Sequence, residues 1–147
     1  MSKTSNSSDI LYQSTRGGTK GVAFRDIVFS SYAPDGGLYV PEKIPIVTRE
    51  TLQQWSVLSF PKLCAKILSL FVDSEIRANL DEICSSAFEH FHHSEIVPVK
   101  KVGPLFVTEA FHGPTLAFKD IGLSVCRIMY HLNFFFKKKK KDLNKIS

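Results

Sequence analysis

Apolar positions change period along this chain, and each change marks an element. Leu105, Phe106, Val107 and Phe111 form an apolar, β-prone run. His112, Gly113, Pro114 and Thr115 break it, because Gly and Pro interrupt regular structure. After the break, Phe118, Ile121, Val125, Ile128, Met129 and Leu132 recur at three- and four-residue steps, which is helical spacing. The pattern predicts strand, tight turn and helix, with the helix ending near Leu132 and Lys119 in its first turn.

Upstream, Ile10 to Ser14 reads as a short strand, followed by a turn at Arg16-Gly17-Gly18. Phe24, Ile27, Val28 and Ser31 fit two helical turns, and Ala33-Pro34-Asp35-Gly36-Gly37 ends them with strong turn chemistry. Leu38 to Val40 is a brief strand. Thr48 to Val57 reads as a helix carrying Leu52 and Trp55. A second helix starts near Ser59, with Pro61 in its first turn and Leu63, Ile67, Leu68 and Phe71 on its inner face. Asn79 and Glu82 resemble a capping box for a third, with Leu80, Ile83, Cys84, Ala87, Phe88 and Phe91 as its buried stripe. Ile96 to Val99, with Pro98 inside it, suggests an edge strand. Gly103-Pro104 then turns the chain. These stripes predict a mainly helical domain with a small sheet over residues 10–93, and a second strand-turn-helix element after it.

Composition narrows the picture. The 147 residues are 44% hydrophobic, including 12 Phe, which suffices for a packed core and argues against global disorder. Net charge is +5, but five of the basic residues are Lys137 to Lys141. Without that run the charges balance, so the folded part is not a basic nucleic-acid binder. Cys64, Cys84 and Cys126 are odd in number, lack CxxC spacing and sit among apolar residues, so buried thiols are expected rather than disulfides or a metal site. The opening MSKTSNSSD has no apolar signal core, and residues 1–9 are expected to be a disordered leader. No run approaches the ~20 apolar residues of a membrane span. A cytoplasmic location is the default expectation.

Several residues carry candidate chemistry. A lysine in the first helical turn lies where the helix dipole disfavours an ammonium. Leu116, Ala117, Phe118 and Ile121 would add a desolvation penalty, and Asp120 would partly oppose it. A neutral amine at Lys119 can condense with a carbonyl; the alternative is a surface lysine that follows a turn. Arg16 can bind a carboxylate or phosphate bidentately, or form a surface ion pair. The turn at Asp35 can approach a ligand through bare glycine backbone, or merely reverse the chain. His112 can hydrogen-bond a substrate group or cap the turn. His90, His92 and His93 complete no familiar zinc pattern, and solvated histidines at a helix end are expected, with no metal site.

The stretch HGPTLAFKD, His112 to Asp120, resembles the cofactor-lysine motif of the threonine synthases and their threonine-synthase-like relatives. YQSTRG at Tyr12 to Gly17 and YAPDGGLYVPEKIP at Tyr32 to Pro45 are similar to that family in the same order. QWSVLSFPKL, Gln54 to Leu63, is similar to the animal branch, threonine synthase-like 2. The resemblance covers about Leu11 to Leu132. It implies an α/β fold: the N-terminal domain of the family over 10–93, then the start of a fold-type II catalytic domain, bound to pyridoxal phosphate (PLP), over 94–132. It implies that Lys119 carries PLP, that the substrate is a small phosphorylated hydroxy-amino acid such as O-phosphohomoserine, and that the reaction is phospholyase or synthase chemistry. Thr15, Arg16, Asp35, His112 and Thr115 become substrate-side candidates by the same resemblance.

In the family the phosphate is cradled by a Ser/Gly/Thr-rich loop that follows the lysine helix. Here the last glycine is Gly122, and the chain goes on as NFFFKKKKKDLNKIS. The expectation is a truncated member, inactive alone, with Ile121, Val125 and Ile128 left exposed where a missing half would pack. The Phe and Lys runs fit a T-run beside an A-run, as in a retained intron or shifted frame, so 133–147 is expected to be a non-native or disordered tail. The alternative is a non-catalytic, partner-binding helical domain whose Phe134 to Lys141 run associates with an anionic membrane.

Overall fold

The computed structural model describes residues 9–143, with side chains through residue 131. Residues 1–8 and 144–147, most of the expected leader and the end of the expected tail, lie outside the described residues. The chain divides into two compact units. One comprises 9–58 and Leu63–Leu80; the other comprises Ser59–Lys62 and 81–143. The expected boundary near residue 93 falls inside the second of these units.

The first unit is built on a three-stranded antiparallel sheet. Strand β1, Leu11–Ser14, lies between β2, Val22–Ala23, and β3, Tyr39–Pro41. Tyr12 and Ser14 are buried while Leu11 and Gln13 are half-exposed, the alternation of a strand with one covered face. Pro41 is tolerated because β3 is an edge. Helix α1 is a single turn, Phe24–Ile27, not the two turns expected. Ser30 N–H returns to the Ile27 carbonyl, and the chain then enters the Ala33 to Gly37 turn.

Helix α2, Arg49–Trp55, is capped by Thr48, whose Oγ1 accepts the Thr51 N–H at 3.2 Å. Helix α3 is Phe60–Leu68. Its second residue is Pro61, where a missing N–H costs nothing because the first-turn donors have no helical partner. Ala65 is its buried residue, whereas Ile67, expected inside, is exposed. Apolar spacing alone does not rank a small alanine above an isoleucine.

Helix α4, Ser74–Arg77, is held from both sides. Arg77 donates to the Ser69 and Val72 carbonyls and pairs with Asp9 at 3.3 Å, so Asp9 belongs to the fold rather than to a leader. Tyr12 Oη donates to the Phe71 carbonyl at 2.8 Å, fastening β1 to the segment after α3.

The second unit has its core in α5, Leu80–Phe88, where Ile83, Cys84, Ala87 and Phe88 are all buried as the stripe predicts. Phe88 meets Phe60 and Phe91 edge-on at 5.1 and 5.3 Å, a favourable quadrupole arrangement. The cap differs from expectation: the Asn79 side-chain amide donates back to the Glu75 carbonyl.

Ile96 adopts φ +63° in a turn, so the strand starts later, as β4, Val99–Val102. A two-residue loop, Gly103-Pro104, joins it to β5, Leu105–Thr108, with Val102 opposite Leu105. Gly103 at φ +58° supplies the left-handed first position that such a loop needs. All eight hairpin residues are exposed. β5 is thus one half of an isolated ribbon rather than a central strand.

Helix α6 runs Lys119–Leu143, past the Leu132 stop expected from its apolar spacing. Val125 and Met129 are buried, Ile121 and Ile128 are half-buried, and Leu123, Cys126 and Tyr130 face outward. The face expected to be open is therefore the covered one, and the apolar stripe is spent within this chain.

Candidate active site

Two groups of expected site residues are found, one in each unit. In the first, the STRG and DGG turns interlock around Asp35. Its Oδ1 accepts from Ser14 Oγ at 2.7 Å and from Gly37 N–H at 3.0 Å; its Oδ2 accepts from Gly18 N–H at 2.9 Å. These bonds, led by the one from Ser14, hold the Asp35 carboxyl below the usual aspartate range. The glycines are required by contact. A Cβ at Gly18 would strike Asp35, one at Gly36 would meet Arg16, and one at Gly37 would collide with Ser14 Oγ.

This arrangement settles what the two turns can do. The N–H groups of Thr15, Arg16, Gly17, Gly18, Gly36, Gly37 and Leu38 all donate within the turns. These seven donors offer no bare-backbone anion cradle, and Asp35 is a clamp with both oxygens engaged. Thr15 Oγ1 accepts the Leu38 N–H at 3.0 Å. Arg16 Nη1 donates to the Asp35 carbonyl at 3.0 Å, which fixes the guanidinium from one side. Arg16 is exposed and forms no salt bridge among the described residues, so its other donors can take an anion.

The second group surrounds Lys119, which is exposed and opens α6. Leu116 and Phe118 are each 68% exposed, so the apolar cover expected over the amine is not supplied by them. Asp120 is 7% exposed and closes the preceding turn. Its Oδ2 accepts the Thr115 N–H at 2.7 Å and its Oδ1 accepts the Thr115 hydroxyl at 2.6 Å. The Thr115 hydroxyl is the largest cause holding the Asp120 carboxyl below the usual range. Leu116 sits at φ +59° inside this turn, and a Cβ at Gly113 would collide with Asp120.

His112 is half-buried. Its Nε2 lies 3.0 Å from Glu109 Oε2, and its ring lies tilted against those of His93 and Phe111, with centroids 4.7 and 4.6 Å away. His93 is therefore packed rather than solvated, and its Nδ1 accepts the Glu95 N–H. His90 and His92 are exposed. Glu109 is the residue that sequence reasoning passed over, and Asp120, read there only as a neighbour of Lys119, proves to be the partner of Thr115. A carboxylate five positions after a turn threonine, or three before a histidine, is legible as a partner only once the turn is drawn.

Known proteins resemble this chain over most of its length. The family model for the threonine synthase N terminus matches residues 11–88. Threonine synthase-like 2 of Xenopus laevis is 45% identical over 135 residues, covering 90% of this chain and 28% of the relative. The crystal structure of yeast threonine synthase superposes with TM-score 0.79 at 31% identity, covering 94% of this chain and 28% of that one. The PLP-bound threonine synthase of Brucella melitensis gives 0.78 at 33% identity, over 82% of this chain and 26% of that one. A mixed α/β chain that matches these structures over most of its length has the fold of the N-terminal region of threonine synthases. The chain belongs to the threonine synthase family. It spans about 28% of the length of threonine synthase-like 2 from Xenopus laevis and from Homo sapiens.

Proposed function

We propose that this chain carries the N-terminal region of a PLP-dependent phospholyase or synthase, with Lys119 as the lysine that takes the cofactor. The observation that supports this most is Lys119 itself: an exposed amine at the first residue of α6, directly behind the Gly113 to Asp120 turn, in a chain whose relative from Brucella melitensis binds PLP.

Among the described residues, the fit to PLP is at the amine of Lys119. PLP also needs donors for its phosphate and a polar partner for its ring nitrogen. Around Lys119, the N–H groups of Thr115, Leu116, Asp120 and Ile121 are taken up within the chain. By itself the chain therefore holds PLP weakly, which favours a non-catalytic role for this length of polypeptide on its own.

When bound, PLP supplies an electron sink for bonds broken next to the substrate's amino carbon. The substrate class is a phosphorylated hydroxy-amino acid such as O-phosphohomoserine. Consumption of one water gives either threonine and phosphate, or 2-oxobutyrate, ammonia and phosphate. Similarity to threonine synthase-like 2 favours the second outcome. Arg16 is the group in this chain suited to an anionic end of that substrate, held on the Asp35 clamp with donors to spare. Thr15 and His112 are hydrogen-bonding candidates, and Thr115 acts on Lys119 through Asp120.

The test is site-resolved trapping. The protein is mixed with PLP, reduced with borohydride and mapped by mass spectrometry. Lys119 is expected to carry the pyridoxyl group in preference to the exposed Lys20, Lys43 and Lys100. Equal modification of all four removes the assignment.

A further inference from the structure

The carboxylate beside Lys119 in sequence is that of Asp120, and the fold gives it another partner. Both Asp120 oxygens are engaged by Thr115, one by its backbone N–H at 2.7 Å and one by its hydroxyl at 2.6 Å. No ion pair joins Lys119 to an acid among the described residues. Gly113 leaves the space in which the Asp120 carboxylate sits, since a Cβ there would collide with it. The chain accepts an uncommon φ of +59° at Leu116, between the two partners.

We propose that Thr115 is a positioning residue for Lys119: by engaging both oxygens of Asp120, it keeps that carboxylate from pairing with the amine. The proposal rests on Lys119 being the cofactor lysine and adds how its reactivity is set. An amine paired with a carboxylate is held in its charged form, and its lone pair cannot attack a carbonyl until the proton leaves. Neighbours on a helix point in different directions, so pairing requires Asp120 to leave its present rotamer. The hydroxyl of Thr115 opposes that movement. The class of molecule that benefits is an aldehyde, which must meet an uncharged amine.

The test compares Lys119 acylation rates, at one fixed pH, in wild type, T115V, T115S, D120N and T115V/D120N. Lys20 and Lys100 in the same molecules serve as references. T115V is expected to slow Lys119 about threefold, the size of an exposed ion pair, while T115S keeps the wild-type rate. D120N and the double variant are expected at or above wild type, because no carboxylate remains to pair. An unchanged T115V overturns the proposal. So does a double variant as slow as T115V, since loss of turn geometry alone would then explain the effect. Should wild-type Lys119 show no preference for PLP over Lys20 and Lys100, the cofactor assignment falls instead. The acylation series still decides the role of Thr115.

Discussion

Asp73 grips Arg25 twice: its Oδ2 accepts the Arg25 backbone N–H at 2.8 Å and lies 3.1 Å from Arg25 Nε. Asp73 is 1% exposed, and its Oδ1 is buried without a hydrogen-bond partner. A buried carboxylate depends on the cation it faces. Asp73→Ala is expected to cost about 2–4 kcal/mol, below the top of the range for buried pairs because Arg25 is partly exposed. Arg25→Ala leaves the charge buried and should cost at least as much. Urea unfolding measures both; midpoints at the wild-type position would show that the pair contributes nothing.

Tyr12 should resist ionisation. Burial, and then the negative charge of Asp73, push its hydroxyl up to about 12. A folded value above the unfolded one means stability is intact below about pH 10 and is lost as pH rises toward about 12. Ultraviolet titration should show Tyr12 ionising only as pH approaches about 12, with alkaline unfolding in that window. In Tyr12→Phe the late step disappears and about 1 kcal/mol of stability goes with the hydroxyl's bond to Phe71.

The Asp35 clamp predicts both a titration and a steric effect. Its carboxyl is held below the usual range, so its contribution is present above the ordinary aspartate value and is lost as pH falls through the folded one. Carboxyl NMR shifts should place its midpoint under that of an unstructured aspartate. Gly37→Ala drives a methyl into Ser14 Oγ, and about 1–3 kcal/mol is the expected loss. A Gly37→Ala protein with wild-type stability and an unmoved Gly18 amide signal would mean that the turns do not interlock.

The three cysteines should separate by reactivity. Cys126 is exposed, Cys64 half-buried and Cys84 fully buried, and none is in a disulfide. A thiol reagent should modify Cys126 at once, Cys64 more slowly and Cys84 only on unfolding. Sequence spacing placed all three inside. Cys126 faces outward because it lies ~100° round α6 from Val125, at the edge rather than the centre of the buried face.

How much was legible follows from the range of each interaction. The alternation at Tyr12 and Ser14, the helical stripe from Leu80 to Phe88 and the turn chemistry at Gly103-Pro104 are local, and local periodicity predicts them. So does the motif that places Lys119 at the mouth of a helix. The extent of α6 was not legible, because apolar spacing reports which face is buried and not where backbone hydrogen bonding stops. Nor was the choice of face, since Ile121, Val125 and Ile128 recur as well for packing within this chain as for packing against another.

The amino-acid order alone determined the family and the type of most elements, because both are written in short stretches whose meaning does not depend on distant residues. Tertiary structure alone decided the partners: Asp35 turned onto Ser14 and Gly18, Asp73 onto Arg25, and Asp120 onto Thr115 instead of Lys119. A carboxylate binds whichever donor the folded backbone brings within three ångströms, and that distance is set by the turns around it rather than by its place in the chain.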